Sequence, residues 1–430
     1  MKRVGVICCV LLLIMAVPSM LLAGGLVNRT NLSVEYLRTL NRQAATDHAD
    51  IVEFNPAGTV KLKDGFTVNA SVMDLITTVG NTDNPNADEF TSTESNFVPA
   101  VYAVYKKRDW AGFFGFNVPL GGGKVDFDKG NVKTVIGSEI IQAGAAPFPT
   151  SRLDDPTFLE AQSYGLGFTL GGAYRINKLV SMSLAARYIN SKQELKARIG
   201  MTPIGPIDPT AEADVSLDAN GWGGVIGLDF FPQEWLTIGL VYQSQVDLEY
   251  DIEYNPDSTN TNGEALLATL GYSDGGAVRG DLPAVFGAGA DVKITDRLRY
   301  EVSFRYYFNK AADLGQRILH GTTTLVNLNE YVHDSIEFGI GVEYAFNPKF
   351  KGSLGYLFSS AGGNAEVMNQ ELPELDTNTF AGGFGWEVVR DLNLQFAAGW
   401  SFYPSQTTSD GRFTYDRNVP FFGLGAEYTF

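Results

Sequence analysis

Very few residues in this chain are equipped for covalent chemistry. The histidines are His48, His320 and His333, and the cysteines are Cys8 and Cys9. A lipid-cleaving hydrolase would need a serine and a histidine close together on a lipid-facing surface, with a carboxylate to orient the base. His333 beside Asp334 and Ser335 is the sole candidate. No spaced cluster of His, Asp and Glu looks like a ligand set for a metal, so neither metal nor cofactor is expected and the chain reads as a non-enzyme.

The start of the chain sets the compartment. Lys2 and Arg3 precede an apolar run from Val4 to Val17, and small residues follow at Ala23, Gly24 and Gly25. This is the pattern of a secretory signal peptide over residues 1–23, and it is short for a retained spanning helix. Both cysteines lie inside it. The mature chain therefore has no thiol, which excludes disulfides, thiolate metal sites and cysteine nucleophiles. Loss of Lys2 and Arg3 takes the net charge from −17 to −19. Nucleic acid is not expected as a partner, since phosphate binding needs a basic face. Glycine is abundant (47), aromatics make up 12% and charged residues only 19%. That composition, with no mature segment as long as a spanning helix, favours one large barrel over two or three soluble domains.

The elements that must carry any site alternate with a period of two. From Ser335 to Phe346, Ile336, Phe338, Ile340, Val342, Tyr344 and Phe346 share one register, opposite Glu337, Gly339, Gly341 and Glu343. Leu298 to Phe308 and Leu392 to Phe402 repeat it, and Leu236 to Tyr254 follows it for nearly the whole stretch. Each is a strand with one apolar and one polar face. Strands are predicted near 65–76, 94–106, 109–119, 161–177, 179–197, 213–231, 235–254, 281–294, 297–309, 333–346, 349–360, 377–389, 392–404 and 413–430. Every second connection is very short, as at Lys107-Arg108, Asn177-Lys178 and Asn347-Pro348, whereas 120–160, 255–280 and 310–332 are long. Short turns on one rim, long loops on the other and an even count of about fourteen predict an all-β, antiparallel transmembrane barrel over residues 61–430. Both termini then fall on the short-turn, periplasmic side.

Glycine concentrates on the polar, inward register, for example at Gly165, Gly167, Gly171, Gly239, Gly287, Gly289, Gly339, Gly341, Gly383 and Gly423. Glycine weakens a strand, so something other than wall side chains is expected to need the room. Residues 24–60 precede the first strand, lack its alternation and hold a short helical candidate near Val34–Arg42. They are predicted to fold into the lumen as a hatch. Inner charges at Arg187, Arg305, Glu337, Glu343 and Glu427 suit ion pairs between barrel and hatch better than guidance of a ligand.

The segment Ala44-Ala45-Thr46-Asp47-His48-Ala49-Asp50-Ile51-Val52-Glu53-Phe54-Asn55-Pro56-Ala57-Gly58 resembles the hatch of a known family, the long-chain fatty acid transporters of the outer membrane, which include the toluene and xylene uptake barrels. Asn117-Val118-Pro119-Leu120-Gly121 is similar to that family's third-strand end, and Leu282-Pro283 with Gly287 to the start of a later strand. The resemblance implies a fourteen-stranded barrel, a hydrophobic groove among extracellular loops, an internal pocket beside the hatch, and a sideways exit where the third strand kinks inward. It implies that Phe54, Asn55, Pro56 and Ala57 sit near that kink and help to gate it. The kink itself is expected among Gly112, Phe113, Phe114 and Gly115, where glycine relaxes pairing. Candidate groove residues are Val135, Ile136, Ile140, Ile141, Pro147 and Phe148 in one loop and Leu266, Leu267 and Leu270 in another. The expected activity is passive uptake of hydrophobic small molecules, long-chain fatty acids foremost, by a monomer set in outer-membrane lipid. Aromatic hydrocarbons, or polar solutes through a general porin, are the alternatives.

Overall fold

The computed structural model describes residues 32–84, 87–144, 153–202, 208–320 and 322–430, so the expected signal peptide (1–23) lies outside the described residues. Fourteen strands make the wall: β1 (Gly65–Asp83), β2 (Phe90–Lys107), β3 (Trp110–Phe127), β4 (Leu153–Arg175), β5 (Val180–Met201), β6 (Ala211–Gln233), β7 (Leu236–Gln243), β8 (Val285–Lys293), β9 (Leu298–Tyr307), β10 (Ser335–Asn347), β11 (Phe350–Ser359), β12 (Thr377–Val389), β13 (Leu392–Thr407) and β14 (Phe413–Thr429). Each pairs antiparallel with its neighbours in the chain. The ring closes where β14 meets β1, from Thr67 opposite Thr429 to Asp83 opposite Phe413. Closure leaves no unpaired edge for hydrocarbon to meet. The alternation read from sequence is the in–out alternation of this wall. In β11, for instance, Leu354 is 68% exposed while Ser353 beside it is buried.

β1 to β6 and β13 overrun their predicted ends toward the long loops. β4 and β6 are 23 residues each, about twice what crosses the apolar band. The expected long connection 120–160 is accordingly shorter, and its middle is helix α3, numbered here third in the chain (Val132–Gly144). The run 236–254 is not one strand. It breaks after Gln243 and resumes at Glu249–Tyr254 against the upper part of β6. Between them the chain dips inward over Gly221 and Gly223, where an added Cβ would sit 2.3 Å from the Asp247 carbonyl and 2.8 Å from Val246.

Residues 32–62 are enclosed by the strands. Helix α1 (Val34–Thr39) is capped by Ser33, whose Oγ accepts from Tyr36 N, and it stops at Leu40, which adopts a left-handed φ of 55°. Helix α2 (Ile51–Phe54) leads through Asn55 into a 3-10 turn, Pro56–Lys61, with the Asn55 side chain capping Ala57 N. Proline suits that first position because its missing N–H has no partner there anyway. The inward glycines make space for this segment. A Cβ at Gly239 would lie 2.0 Å from the Gln43 carbonyl, at Gly341 2.6 Å and at Gly355 2.4 Å from that of Thr39, and at Gly423 2.8 Å from Val34. Gly165, Gly167 and Gly171 have a different purpose: they face wall residues, the first two of them on β3.

Candidate functional site

The wall is incomplete at one place. β2 and β3 pair only from Lys107–Trp110 up to Val101–Phe116. Above that, β3 keeps β4 alone and slips register twice, between Asn117 and Leu120 and between Leu120 and Gly123. The cause is local. Pro99 and Pro119 cannot donate to a ladder, and Gly121 and Gly123 take φ of 95° and 82°, a region that side chains avoid. Gly165 and Gly167 on β4 accept the bend, since a Cβ there would lie 2.4 Å from Leu120 and 2.9 Å from Pro119. The seam closes again higher up, where Lys124 N donates to Asn96 Oδ1 (2.7 Å) and Asp126 N to Ser92 Oγ (2.7 Å). What remains is a bounded window between residues 97–100 and 117–123. The expected position among Gly112, Phe113, Phe114 and Gly115 is corrected: all four are paired on both sides in unbroken register.

Behind the window lies a cavity of about 420 Å³. Its window side carries Leu75, Val98, Pro99, Val118 and Leu166 beside the polar Asn96, Lys124, Gln162 and Ser163. Its far side, on β10 to β14, is polar and buried, with Glu337, Ser359, Thr377, Thr379, Ser401 and Arg417. The Arg417 guanidinium lies 4.8 Å over the Tyr403 ring. A second cavity of about 610 Å³ opens among the long loops. The two share Gly121, Gly123, Gln162 and Ser163, so the bend in β3 stands between them.

The enclosed segment holds the bend through a residue that sequence reasoning passed over. Asn117 donates from Nδ2 to Glu53 Oε2 (2.7 Å) and Arg187 pairs with Glu53 Oε1 (3.1 Å). Tyr102 donates to the Leu32 carbonyl (2.7 Å). Asn55 points elsewhere: its Nδ2 donates to Asp229 Oδ1 (2.8 Å) and the Leu228 carbonyl on β6, while the Ala57 carbonyl accepts from Ser181 on β5. The expectation that Asn55, Pro56 and Ala57 themselves meet the bend is therefore corrected to Glu53. Phe54 stacks on Tyr36 (centroids 5.0 Å apart), with Arg305 5.3 Å from both rings. Of the inner charges, Arg187, Glu343 and Glu427 tie wall to segment, whereas Arg305 and Glu337 pair with each other within the wall (3.1 Å). Glu343 takes Arg38 (2.9 Å), Glu427 takes His48 (2.7 Å) and the Ala49 N–H (2.7 Å), and Arg299 bridges Asp47 (2.9 Å) to Asp291, Glu301 and Glu343.

Most of the loop candidates pack rather than line. Ile140, Ile141, Leu266 and Leu270 gather about Ile199, Met201 and Ala211 where α3 meets α4 (Thr261–Thr269). Ile136 packs with Val132, Met368 and Tyr415, and Leu267 with Leu120 and Val215. Val135 is half-buried. Among the described candidates only Leu270 lines the outer cavity. Pro147 and Phe148 lie outside the described residues. Near the outer cavity His320 sits between Gln370 (2.6 Å) and the Tyr415 hydroxyl (2.8 Å). Burial, with Arg317 close by, lowers its pKa to about 4. Ser335, in the hydrolase candidate, donates to the Ala361 carbonyl and accepts from Asn309, and no hydrogen bond among the described residues joins it to the His333 ring.

Comparison with known proteins agrees with this geometry. Residues 148–430 match a family model described as outer membrane protein transport protein (OMPP1/FadL/TodX). Outer membrane protein P1 of Haemophilus influenzae is 21% identical over 96% of this chain and 98% of its own. The crystal structure of a Pseudomonas aeruginosa FadL homologue superposes with a TM-score of 0.70 at 15% identity, covering 95% of this chain and 100% of the other. That of the Ralstonia pickettii toluene transporter TbuX gives 0.65 at 16%, covering 94% and 99%. A fourteen-stranded barrel, a breached seam and a match over most of the sequence lead to one placement: the chain belongs to the outer membrane protein transport family of OMPP1, FadL and TodX.

Proposed function

We propose that this protein takes up hydrophobic small molecules, long-chain fatty acids foremost, across the outer membrane by passive binding and lateral release. The observation that carries this is the window between β2 and β3, with a cavity directly behind it. At about 420 Å³ the cavity falls within the usual size of ligand sites, roughly 300–1,000 Å³. A greasy molecule gains ~0.8 kcal/mol per methylene on leaving water, so a path from pocket to bilayer that avoids an aqueous pore suits it. The mixed lining suits an amphiphile: tail toward Val98 and Val118, head toward the hydroxyls and Arg417. In this reading the N-terminal segment, described from Leu32 onward, is the hatch that stoppers the lumen, Glu53 ties it to the bend, Asn55 and Ala57 brace it against β6 and β5, and both termini are periplasmic.

The thiol-free mature chain makes a clean test. Cysteines at Val98→Cys and Val118→Cys, bridged by a bifunctional maleimide, are expected to leave oleate binding intact and to stop its delivery from outside a proteoliposome into the bilayer. Delivery that continues at the uncrosslinked rate would exclude lateral release. Toluene displacing oleate equally well would move the substrate class to aromatic hydrocarbons.

A further inference from the structure

The short-turn end of the barrel is charged against the trend of the chain. The formal net charge is −17, and exposed carboxylates such as Asp218, Glu249, Asp251 and Glu253 crowd the long-loop end. At the other end stand Lys107 and Arg108 at the β2–β3 turn, Lys178 between β4 and β5, and Lys349 between β10 and β11, all exposed. Lys293 and Arg297, by contrast, share the inward register of Arg299 and line the lumen mouth with Asp47. Among the described residues none of the four outer cations makes an ion pair. The pairs on this rim belong to others: Lys63 with Asp391, Lys106 with Asp64, Arg175 with Asp109 and Arg390 with Asp391. Asp109 is the exposed acid in these three turns, so the turns stay net basic.

A second observation says what meets them. Exposed aromatic rings stand immediately beside these cations. Tyr105 and Trp110 (centroids 5.6 Å apart) flank the Lys107–Arg108 turn, Phe346 with the half-buried Phe350 (5.8 Å) flanks Lys349, and Tyr174 is exposed near Lys178. Rings at the ends of membrane strands mark the head-group layer. Cations one to four residues away from them stand at the level of lipid phosphates, where a basic cluster attracts anionic lipid.

We propose that this rim binds the phosphate head groups of anionic phospholipids in the leaflet on the short-turn side and keeps a shell of them around the barrel. The inference needs only a barrel seated in a bilayer, so it stands or falls apart from the cargo. The test uses the mature protein in nanodiscs of equimolar dioleoylphosphatidylglycerol and dioleoylphosphatidylcholine, with retained lipid read by native mass spectrometry. The expected enrichment of phosphatidylglycerol is roughly threefold, lost in high salt as the charges are screened. Replacing all four (Lys107→Gln, Arg108→Gln, Lys178→Gln, Lys349→Gln) should bring it to parity, and exchanging Lys for Arg at the three lysines should preserve it. Heat-modifiable migration shows whether each variant is folded, and the salt titration on the unaltered protein decides the matter if the fourfold variant is not. Equal retention of both lipids by the unaltered protein, or undiminished enrichment in the folded fourfold variant, would overturn it.

Discussion

Glu53 is the residue on which the contact between the enclosed segment and the wall at the bend turns. It is 6% exposed and accepts from both Asn117 and Arg187. Glu53→Ala leaves Arg187 buried without its partner, and breaking one side of such a pair costs about 3–5 kcal/mol. Denaturant unfolding in detergent micelles should show that loss, with a smaller one for Glu53→Gln, which can still meet Asn117. Nothing in the local sequence flagged Glu53, because its partners lie 64 and 134 residues away. Asn-Pro-Ala, by contrast, was visible, yet Asn55 caps a turn and bonds to β6. His320 gives a pH dependence whose sign is fixed. Its pKa falls from 6.5 to about 4 in the fold, so between those values the unfolded loop binds a proton that the folded loop refuses. The contribution to stability is full above pH 6.5 and declines toward pH 4. A proton on Nε2 would also face the Gln370 amide that now meets it. Amide hydrogen exchange around residues 360–376, corrected for intrinsic rates, should quicken over that range, and His320→Gln should flatten the response.

At the scale of elements, strands were legible and their interruptions were not. A period of two is printed in the side chains, so all fourteen strands could be placed from sequence. The breaks depend on which backbone groups lack a partner in space. Gly112 and Gly115 looked pliant, but a glycine inside a ladder can keep both its bonds, and these do. The bend came instead where Pro119 withholds a donor and Gly121 and Gly123 turn left-handed. Likewise the alternation through 236–254 hid the dip over Gly221 and Gly223. The inward glycines at Gly239, Gly341 and Gly423 do make room for the enclosed segment, unlike Gly165, Gly167 and Gly171, and that can be tested. Gly239→Val would drive a side chain into the Gln43 carbonyl, 2.0 Å from the new Cβ. The expected result is a barrel that still forms but no longer seats the enclosed segment, seen as proteolytic release of residues 32–62. Gly411→Val meets nothing within 4 Å and is the control for handling, although its φ of 75° strains that loop.

For the whole molecule the proposal makes one blunt forecast. Deleting residues 24–57 should convert a poorly conducting protein into a leaky one in planar bilayers, because the wall alone encloses an open channel. Unchanged conductance would mean that the strands, not the segment, seal the lumen. The seam between β1 and β14 carries a further consequence. Thr67 and Thr429 must meet from nearly opposite ends of the polypeptide, and such distant contacts form slowly because the intervening chain resists looping. A sealed cylinder would have to readmit some thirty residues with their buried arginines, Arg38 and Arg42, past its own rim, where unpaired charge is costly. Winding the sheet around them while it is still an open trough avoids that passage. The beginning of the chain then acts as a mandrel, and the rate of the final zippering should depend on whether it is in place.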